Sequence, residues 1–306
     1  MRIFRLDHIR LASVATIAGL LCVVPAKAQQ SFNSPDDAAS ALASAVKSGI
    51  RQDVLSVLGT DGEDIIDSGD EVADKAAREK FLAAYDARHA VKVDGKKASM
   101  IIGADDFPFP IPLIHTKTGW QFDTDEGRQE ILYRRIGRNE LDTIQTCLAF
   151  VDAEDEYADK DRGDGVGTYA QRIVSSPGKK DGLYWPSDAN DSPLGQLAAG
   201  ASAEGYKAGS EPQPYHGYYY RILTQQGQSA PGGALSYIVN GKMIGGFALI
   251  AYPADYGNSG VMTFIVSLAG TVYQKDLGKN TEARVKSMTS FDPDRTWTKV
   301  DEQAPK

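Results

Sequence analysis

Two hydrophobic periods divide this chain, and their order is its strongest constraint. Up to about Ala158 helical spacing dominates, broken by a few short strand-like segments; from Gly217 onward the apolar residues come in short β-rich runs separated by turn residues. Behind Ser34-Pro35-Asp36-Asp37, which supplies an N-cap, a proline at the first helical position and an acid in the first turn, Ala38, Ala41, Leu42, Ala45 and Val46 repeat at i, i+3, i+4, i+7 and i+8. This first helix ends near Gly49. A second helical pattern covers about 70–89, with Ala77, Phe81 and Tyr85 on one stripe. Strand-like segments follow at 98–102, 111–116 and 120–122, separated by Phe107-Pro108-Phe109-Pro110 and a turn at Gly119. A long helix is then expected over about 125–158, with Leu141, Ile144, Leu148 and Val151 as its apolar stripe and Gly137 as a break or kink.

Residues 159–210 are rich in Gly, Asp, Ser and Pro and read as loops with short turns. The β-rich runs after them lie at 217–224, 235–239, 242–251, 261–266 and 271–274, and Asn240-Gly241 between two of them is a type I′ hairpin signal. A last helix near 281–288 and the tail carrying Trp297 would cover one face of an antiparallel meander. The fold class is therefore α+β. N-terminal helices on a small antiparallel sheet form a cone-like unit at 29–128, and a long helix packs on a C-terminal meander at 129–306.

Arg2, Arg5 and Arg10 precede the apolar run 11–24, which closes with Pro25-Ala26-Lys27-Ala28. Charged start, short apolar run and Ala-x-Ala ending together predict a signal peptide at 1–28, hence export, with the periplasm as the expected destination. Cys22 does not suit lipidation, because Gly19-Leu20-Leu21 inverts the order of small residue and leucine that a lipobox needs. Without the leader, Cys147 is the single cysteine and no internal disulfide can form, so stability must come from the core. No later run approaches a membrane span: the longest apolar stretch, 243–252, is interrupted by Gly245-Gly246. The chain beyond residue 28 holds 29 basic and 40 acidic residues, a net charge of −11, which excludes nucleic acid and other polyanions as partners.

Two clusters stand out as candidate sites. Asp159, Asp161 and Asp164 place three carboxylates in a Gly-rich loop, the kind of hard oxygen ligands that Ca²⁺ takes; the EF-hand template fails, since Gly163 and Ala170 stand where acidic ligands belong. No cofactor is expected, and Ca²⁺ is the one candidate ion. Pro214-Tyr215-His216-Gly217-Tyr218-Tyr219-Tyr220-Arg221 packs four aromatics, a His and an Arg into eight residues. In a strand Tyr218 and Tyr220 share one face, and Tyr219 and Arg221 the other, which makes a stacking platform for a sugar or peptide. With Trp185, the candidate contact surface is Trp185, Tyr215, His216, Tyr218, Tyr220 and Arg221. No zinc pattern exists, since His89 and His115 lie in the other half. Ser259 sits in Gly257-Asn258-Ser259-Gly260, which lacks the second glycine of a nucleophile elbow. Cys147 lies on the helical stripe as a buried thiol, and Arg134, Arg135 and Arg138 read as a solvated face or a clamp to the second half.

Four strings carry a family resemblance: Arg135-Ile136-Gly137-Arg138-Asn139-Glu140, Ser176-Pro177-Gly178-Lys179-Lys180-Asp181-Gly182-Leu183-Tyr184-Trp185, Pro214-Tyr215-His216-Gly217-Tyr218-Tyr219-Tyr220 and Gly246-Phe247-Ala248-Leu249-Ile250-Ala251-Tyr252-Pro253. Together they resemble a secreted bacterial family catalogued as a domain of unknown function, number 2950, across 32–300. The family name implies no activity or ligand. Its genes often lie beside those of another secreted family, which implies a partner that is a secreted protein or an envelope component. The C-terminal half also looks like the globular part of type IV pilin-like proteins, although an internal, polar helix speaks against filament assembly. The first half looks like a nuclear-transport-factor-type cone.

The reading from sequence is an exported binding or envelope-associated interaction module. A metal- or carboxylate-dependent periplasmic hydrolase would need His216 beside Asp255 or Asp164. A pilin-like subunit would need the 141–151 stripe exposed. N-terminal sequencing of the exported protein is expected to start at Gln29, and a mature chain that keeps residues 1–28 would refute the leader.

Overall fold

A single 35-residue helix joins two five-stranded antiparallel sheets, one in each half of the chain. The computed structural model describes residues 29–207 and 213–300; the expected leader lies outside the described residues. In the first half α1 (Pro35–Ser48), α2 (Arg51–Leu58), α3 (Glu63–Ile66) and α4 (Glu71–Ala87) precede β1 (His89–Asp94), β2 (Lys97–Ile102), β3 (Phe107–Pro108), β4 (Leu113–Thr116) and β5 (Gly119–Phe122). The strand order is β1-β2-β4-β5, with β3 also paired to β2. Ser34 accepts the Asp37 amide at 3.0 Å, and Gly49, at φ 69°, ends α1 in the left-handed conformation. Leu42, Met100, Ile111, Leu113 and Phe122 are fully buried between helices and sheet, and each such side chain contributes about 1.5–3 kcal/mol.

Two elements escape the periodicity. The second helical pattern stops at Ala87, and His89 opens β1, a strand exposed along almost its whole length and therefore without an apolar face to announce it. α2 is only two turns long, too short for a repeat to stand out.

α5 (Thr124–Ala158) is capped by Asp123, whose carboxylate accepts the Glu126 amide at 3.1 Å. It runs unbroken through residues 128 and 129 and through Gly137, where a Cβ would meet nothing within 4 Å. Its buried face is Asn139, Thr143, Cys147, Phe150, Val151, Glu154 and Tyr157. Ile144 and Leu148 pack against the same core, whereas Leu141 stays 63% exposed. The pilin-like subunit, which needed that stripe free, is thus left with Leu141 alone.

Beyond α5 the chain is irregular, apart from a 3₁₀ segment Pro186–Asp191, until α6 (Gly195–Glu204). Then come β6 (Tyr218–Leu223), β7 (Gln225–Gln226), β8 (Leu235–Ser236), β9 (Ile238–Val239), β10 (Lys242–Met243), β11 (Ala248–Pro253), β12 (Met262–Ser267), β13 (Tyr273–Asp276), α7 (Thr281–Ser287) and β14 (Thr298–Lys299). The main sheet has the order β14-β13-β12-β11-β6, while β7 pairs β8 and β9 pairs β10. Asn240 and Gly241 both take positive φ, 50° and 79°, and turn β9 into β10 as a type I′ hairpin requires. Ala248, Leu249, Ile250, Ala251, Phe264, Ile265 and Val266 are all buried, so both faces of the sheet are covered: α5 lies on one, α7 and the tail on the other. That double cover is why these strands read as unbroken apolar runs instead of alternating ones. Among the described residues no helix is long and apolar enough to cross a membrane.

Glu154 is a carboxyl inside this core. One oxygen accepts the Ala170 amide at 2.8 Å and the other has no partner. Burial holds the group well above the usual carboxylate range, so the folded chain keeps a proton that the unfolded chain releases. Stability from this group is complete below the ordinary glutamate range and is lost as pH rises toward the folded value. Glu154→Gln is expected to gain at least about 1 kcal/mol relative to the wild type between pH 4.5 and 8. Urea unfolding at both pH values checks this, and parallel shifts of the two proteins would count against it.

Candidate functional site

α6 forms because its sequence, rich in alanine, favours helix, and it stops at Gly205, which takes φ 107°. Its inner face, Leu197, Ala198, Ala201 and Ser202, is one wall of a cavity of about 620 Å³. Phe150 of α5 and Leu249 of β11 lie across from it, and Tyr184, Tyr206, Tyr215 and Tyr220 complete an aromatic lining. Burial pushes the Tyr215 hydroxyl up to about 12 and raises Tyr206 and Tyr220 further, so all three remain protonated hydrogen-bond donors at neutral pH.

The C-terminal end of α6 is held by a three-residue clamp. His216 Nε2 lies 2.9 Å from Glu204 Oε2 and its Nδ1 lies 2.9 Å from Asp142 Oδ2 on α5. Each ring nitrogen thus faces a carboxylate, so His216 bridges α5 and the end of α6. His216 also takes φ 51°, a left-handed backbone that packs its ring against Tyr206 and Tyr215, with centroids 6.0 and 4.1 Å away. The next contact comes from the other half of the molecule. Asp70 Oδ2 accepts the Tyr206 hydroxyl at 2.8 Å and the Gly217 amide at 2.9 Å, while Oδ1 caps α4 through the Ala73 amide at 3.0 Å.

A second, polar cavity of about 440 Å³ lies where the two halves meet. Both of its arginines are paired, Arg51 with Glu63 and Asp67, and Arg128 with Asp64 at 2.6 Å, and the surplus of acids, with Asp61 and Asp255, leaves it acidic. Arg135 reaches the Asp64 and Ile65 carbonyls of the first half and the Asn258 side chain of the second, which is the clamp between halves that its charge suggested. Arg134 instead pairs with Glu130 on its own helix.

The contact surface expected from sequence is not assembled as a surface. Trp185 and Tyr218 are core residues, 1% and 0% exposed; Tyr218 donates to the Met262 carbonyl, and Gly260 leaves room for its phenol, since a Cβ there would stand 2.1 Å from the hydroxyl. Arg221 donates to the Val285 and Met288 carbonyls and pins α7. Only Tyr215 and Tyr220 reach the cavity, with His216 at the clamp. The cation loop is not assembled either. Asp161 accepts the Gly163 and Gly165 amides at 2.8 and 2.9 Å, Asp164 lies 3.9 Å from the Lys242 ammonium, and Asp159 closes α5. Among the described residues no three His, Cys, Asp or Glu side chains gather where they would hold a metal.

The hydrolase constellation also dissolves. His216 is partnered by Asp142 and Glu204, whereas Asp255 holds the Asn258 amide at 2.9 Å and Ser259 turns back onto the Asp255 carbonyl. Cys147 is fully buried and its thiol is pushed up to about 12, the wrong direction for a nucleophile. Residues that sequence reasoning passed over are Asp70, Asp142, Glu204 and Tyr206. The one signal, for Glu204 alone, was the alanine-rich stretch 195–204 inside an otherwise loop-like region.

Asp70→Ala removes a helix cap and strands two donors, and is expected to cost about 3–5 kcal/mol; Tyr206→Phe is expected to cost about 1.5–3 kcal/mol. In urea unfolding the double variant should lose less than the sum of the two, and strict additivity would mean that the pair is not coupled.

No curated protein and no solved structure matches this chain. The model of a family described as Protein of unknown function (DUF2950) matches residues 29–300, a range that includes every residue the structure describes. The chain belongs to that family.

Proposed function

We propose that this protein is an exported binding module that takes a small, largely apolar ligand into the cavity behind α6. The cavity itself carries the reading. Its volume of about 620 Å³ falls within the 300–1,000 Å³ typical of small-molecule sites, and its walls combine aliphatic and aromatic surface with a few hydroxyl donors. The wall is also held in place before any ligand arrives, because Asp70, Asp142 and His216 fix α6 and Tyr206 from two other elements. Prior fixing reduces the entropy lost on binding. The leader read at 1–28 supports export, with the periplasm as destination and a secreted protein or envelope component as the partner that supplies or receives the ligand.

The test is titration of the mature chain, residues 29–306, with the neutral apolar fluorophore N-phenyl-1-naphthylamine. Saturable, 1:1 enhancement is expected. Ala201→Trp, which fills the cavity from α6, should abolish it while leaving the thermal midpoint within a few degrees; Ala198→Phe serves as a second filling variant. Unsaturable enhancement, or saturable binding that survives both fillings, would overturn the proposal.

A further inference from the structure

The first-half sheet is closed at one edge and open at the other. Beside β5, Phe32 and Trp120 exchange backbone bonds of 2.9 and 2.8 Å, so the chain entering the described region covers that side. At the far edge β1 pairs with β2 in a register that runs without a bulge from His89 opposite Ile102 to Asp94 opposite Lys97. Gly103 donates to the Arg88 carbonyl at 2.9 Å, which fixes the alternation: Ala90, Lys92 and Asp94 turn their backbone groups to β2, and His89, Val91 and Val93 turn theirs to the open side. Among the described residues no hydrogen bond reaches those outward amides and carbonyls. Sheets commonly blunt such an edge with proline, a bulge or an inward-pointing charge. β1 has neither proline nor bulge, and its one lysine, Lys92, stands in the row away from the core. In the other row the His89 ring stacks on Tyr85 at 3.9 Å, Val91 packs on the first-half core, and Val93 is left 58% exposed.

We propose that β1 pairs antiparallel with β1 of a second copy of this chain, joining the two first-half sheets into one. A twofold axis at Val91 sets Val91 against Val91 and His89 against Val93. This is the antiparallel register that uses all three outward residues of each copy, and it forms about six backbone hydrogen bonds. It also matches the charges. Arg88, extended at φ −165°, comes to face Asp94 of the second copy, and Asp94 faces that copy's Arg88, while Lys92 faces Ala90 and has no like charge directly opposite. Arg88 already holds Asp106 at 3.0 Å, in a pair more than half exposed on each side, and its planar fork has further donors for a second carboxylate. An unrelated peptide would satisfy the backbone but would carry these two charges only by coincidence, so self-complementarity selects a second copy. The pairing is independent of the cavity, whose lining begins at Thr146.

Sedimentation equilibrium of the mature chain, residues 29–306, tests this. A monomer–dimer equilibrium is expected, half-associated on the order of 10–100 µM, as suits a small, transient interface. Val93→Pro removes an outward amide that β2 does not use, so it should weaken association at least about tenfold while leaving the thermal midpoint of the dilute monomer within a few degrees. Asp94→Arg alone and Arg88→Asp alone each set like charges opposite one another and should weaken the dimer. Mixing these two variants should restore it, with one copy of each, because every facing pair is then opposite in charge. A wild type that stays monomeric up to about 1 mM would overturn the proposal and leave the edge to a peptide of another protein. A dimer unaffected by Val93→Pro would overturn it too, as would two charge variants whose mixture associates no better than either alone.

Discussion

The buried carboxylate of Asp70 is the point at which the two halves of this molecule depend on each other. A carboxylate only 2% exposed is tolerated only when its oxygens are occupied, and here three donors occupy them. One begins α4, one is the phenol of a cavity wall, and one is the backbone amide beside the clamp histidine. A first-half residue thereby sets the position of a second-half site. Arg135 and Asn258 reinforce the arrangement with bonds to main-chain carbonyls at Asp64, Ile65 and Asp67, so the contact between halves is made largely of backbone acceptors met by side-chain donors. Such contacts specify a geometry more narrowly than apolar burial does, because each has a direction.

The architecture divides its tasks accordingly. The C-terminal sheet, buried on both faces, supplies a rigid floor. α5 lies across it, and α6, a short helix of small side chains, stands off from that floor and leaves the space behind it unfilled. Alanines in α6 keep its inner face shallow, and the ring of tyrosines provides area with little rotamer freedom to lose. The clamp residues keep the short helix from settling into the void.

How much of this was legible in the sequence depended on how local the cause was. Ser34 capping α1, Asn240-Gly241 turning β9 into β10, and the apolar run at 248–251 were readable because a few neighbouring residues decide each of them. The mixed helix-and-sheet class followed from the same signals. β1 was not readable, since a strand exposed on both faces has no pattern to show. α6 was hidden by its two glycines and by the Gly-, Asp-, Ser- and Pro-rich stretch around it, which in composition resembles a loop. The site failed for a different reason. Tyr and Trp are amphipathic, so Tyr218 and Trp185 fit an exposed platform and a core equally well until the sheet decides between them. The clamp joins residues 12 and 74 positions apart, and Asp70 reaches 136 positions along the chain to Tyr206, distances over which spacing carries no information.

Cys147 gives the molecule one further property. Its sulfur lies at the centre of the contact between α5 and the sheet, fully enclosed and held as the unreactive thiol. Alkylating or oxidising reagents reach it only when the core between the long helix and the strands opens. The modification rate of this single sulfur therefore reports how often the core comes apart. A ligand seated between α5, α6 and β11 would slow that rate, so the chain carries a built-in clock for its own breathing, readable by mass alone and without any added label.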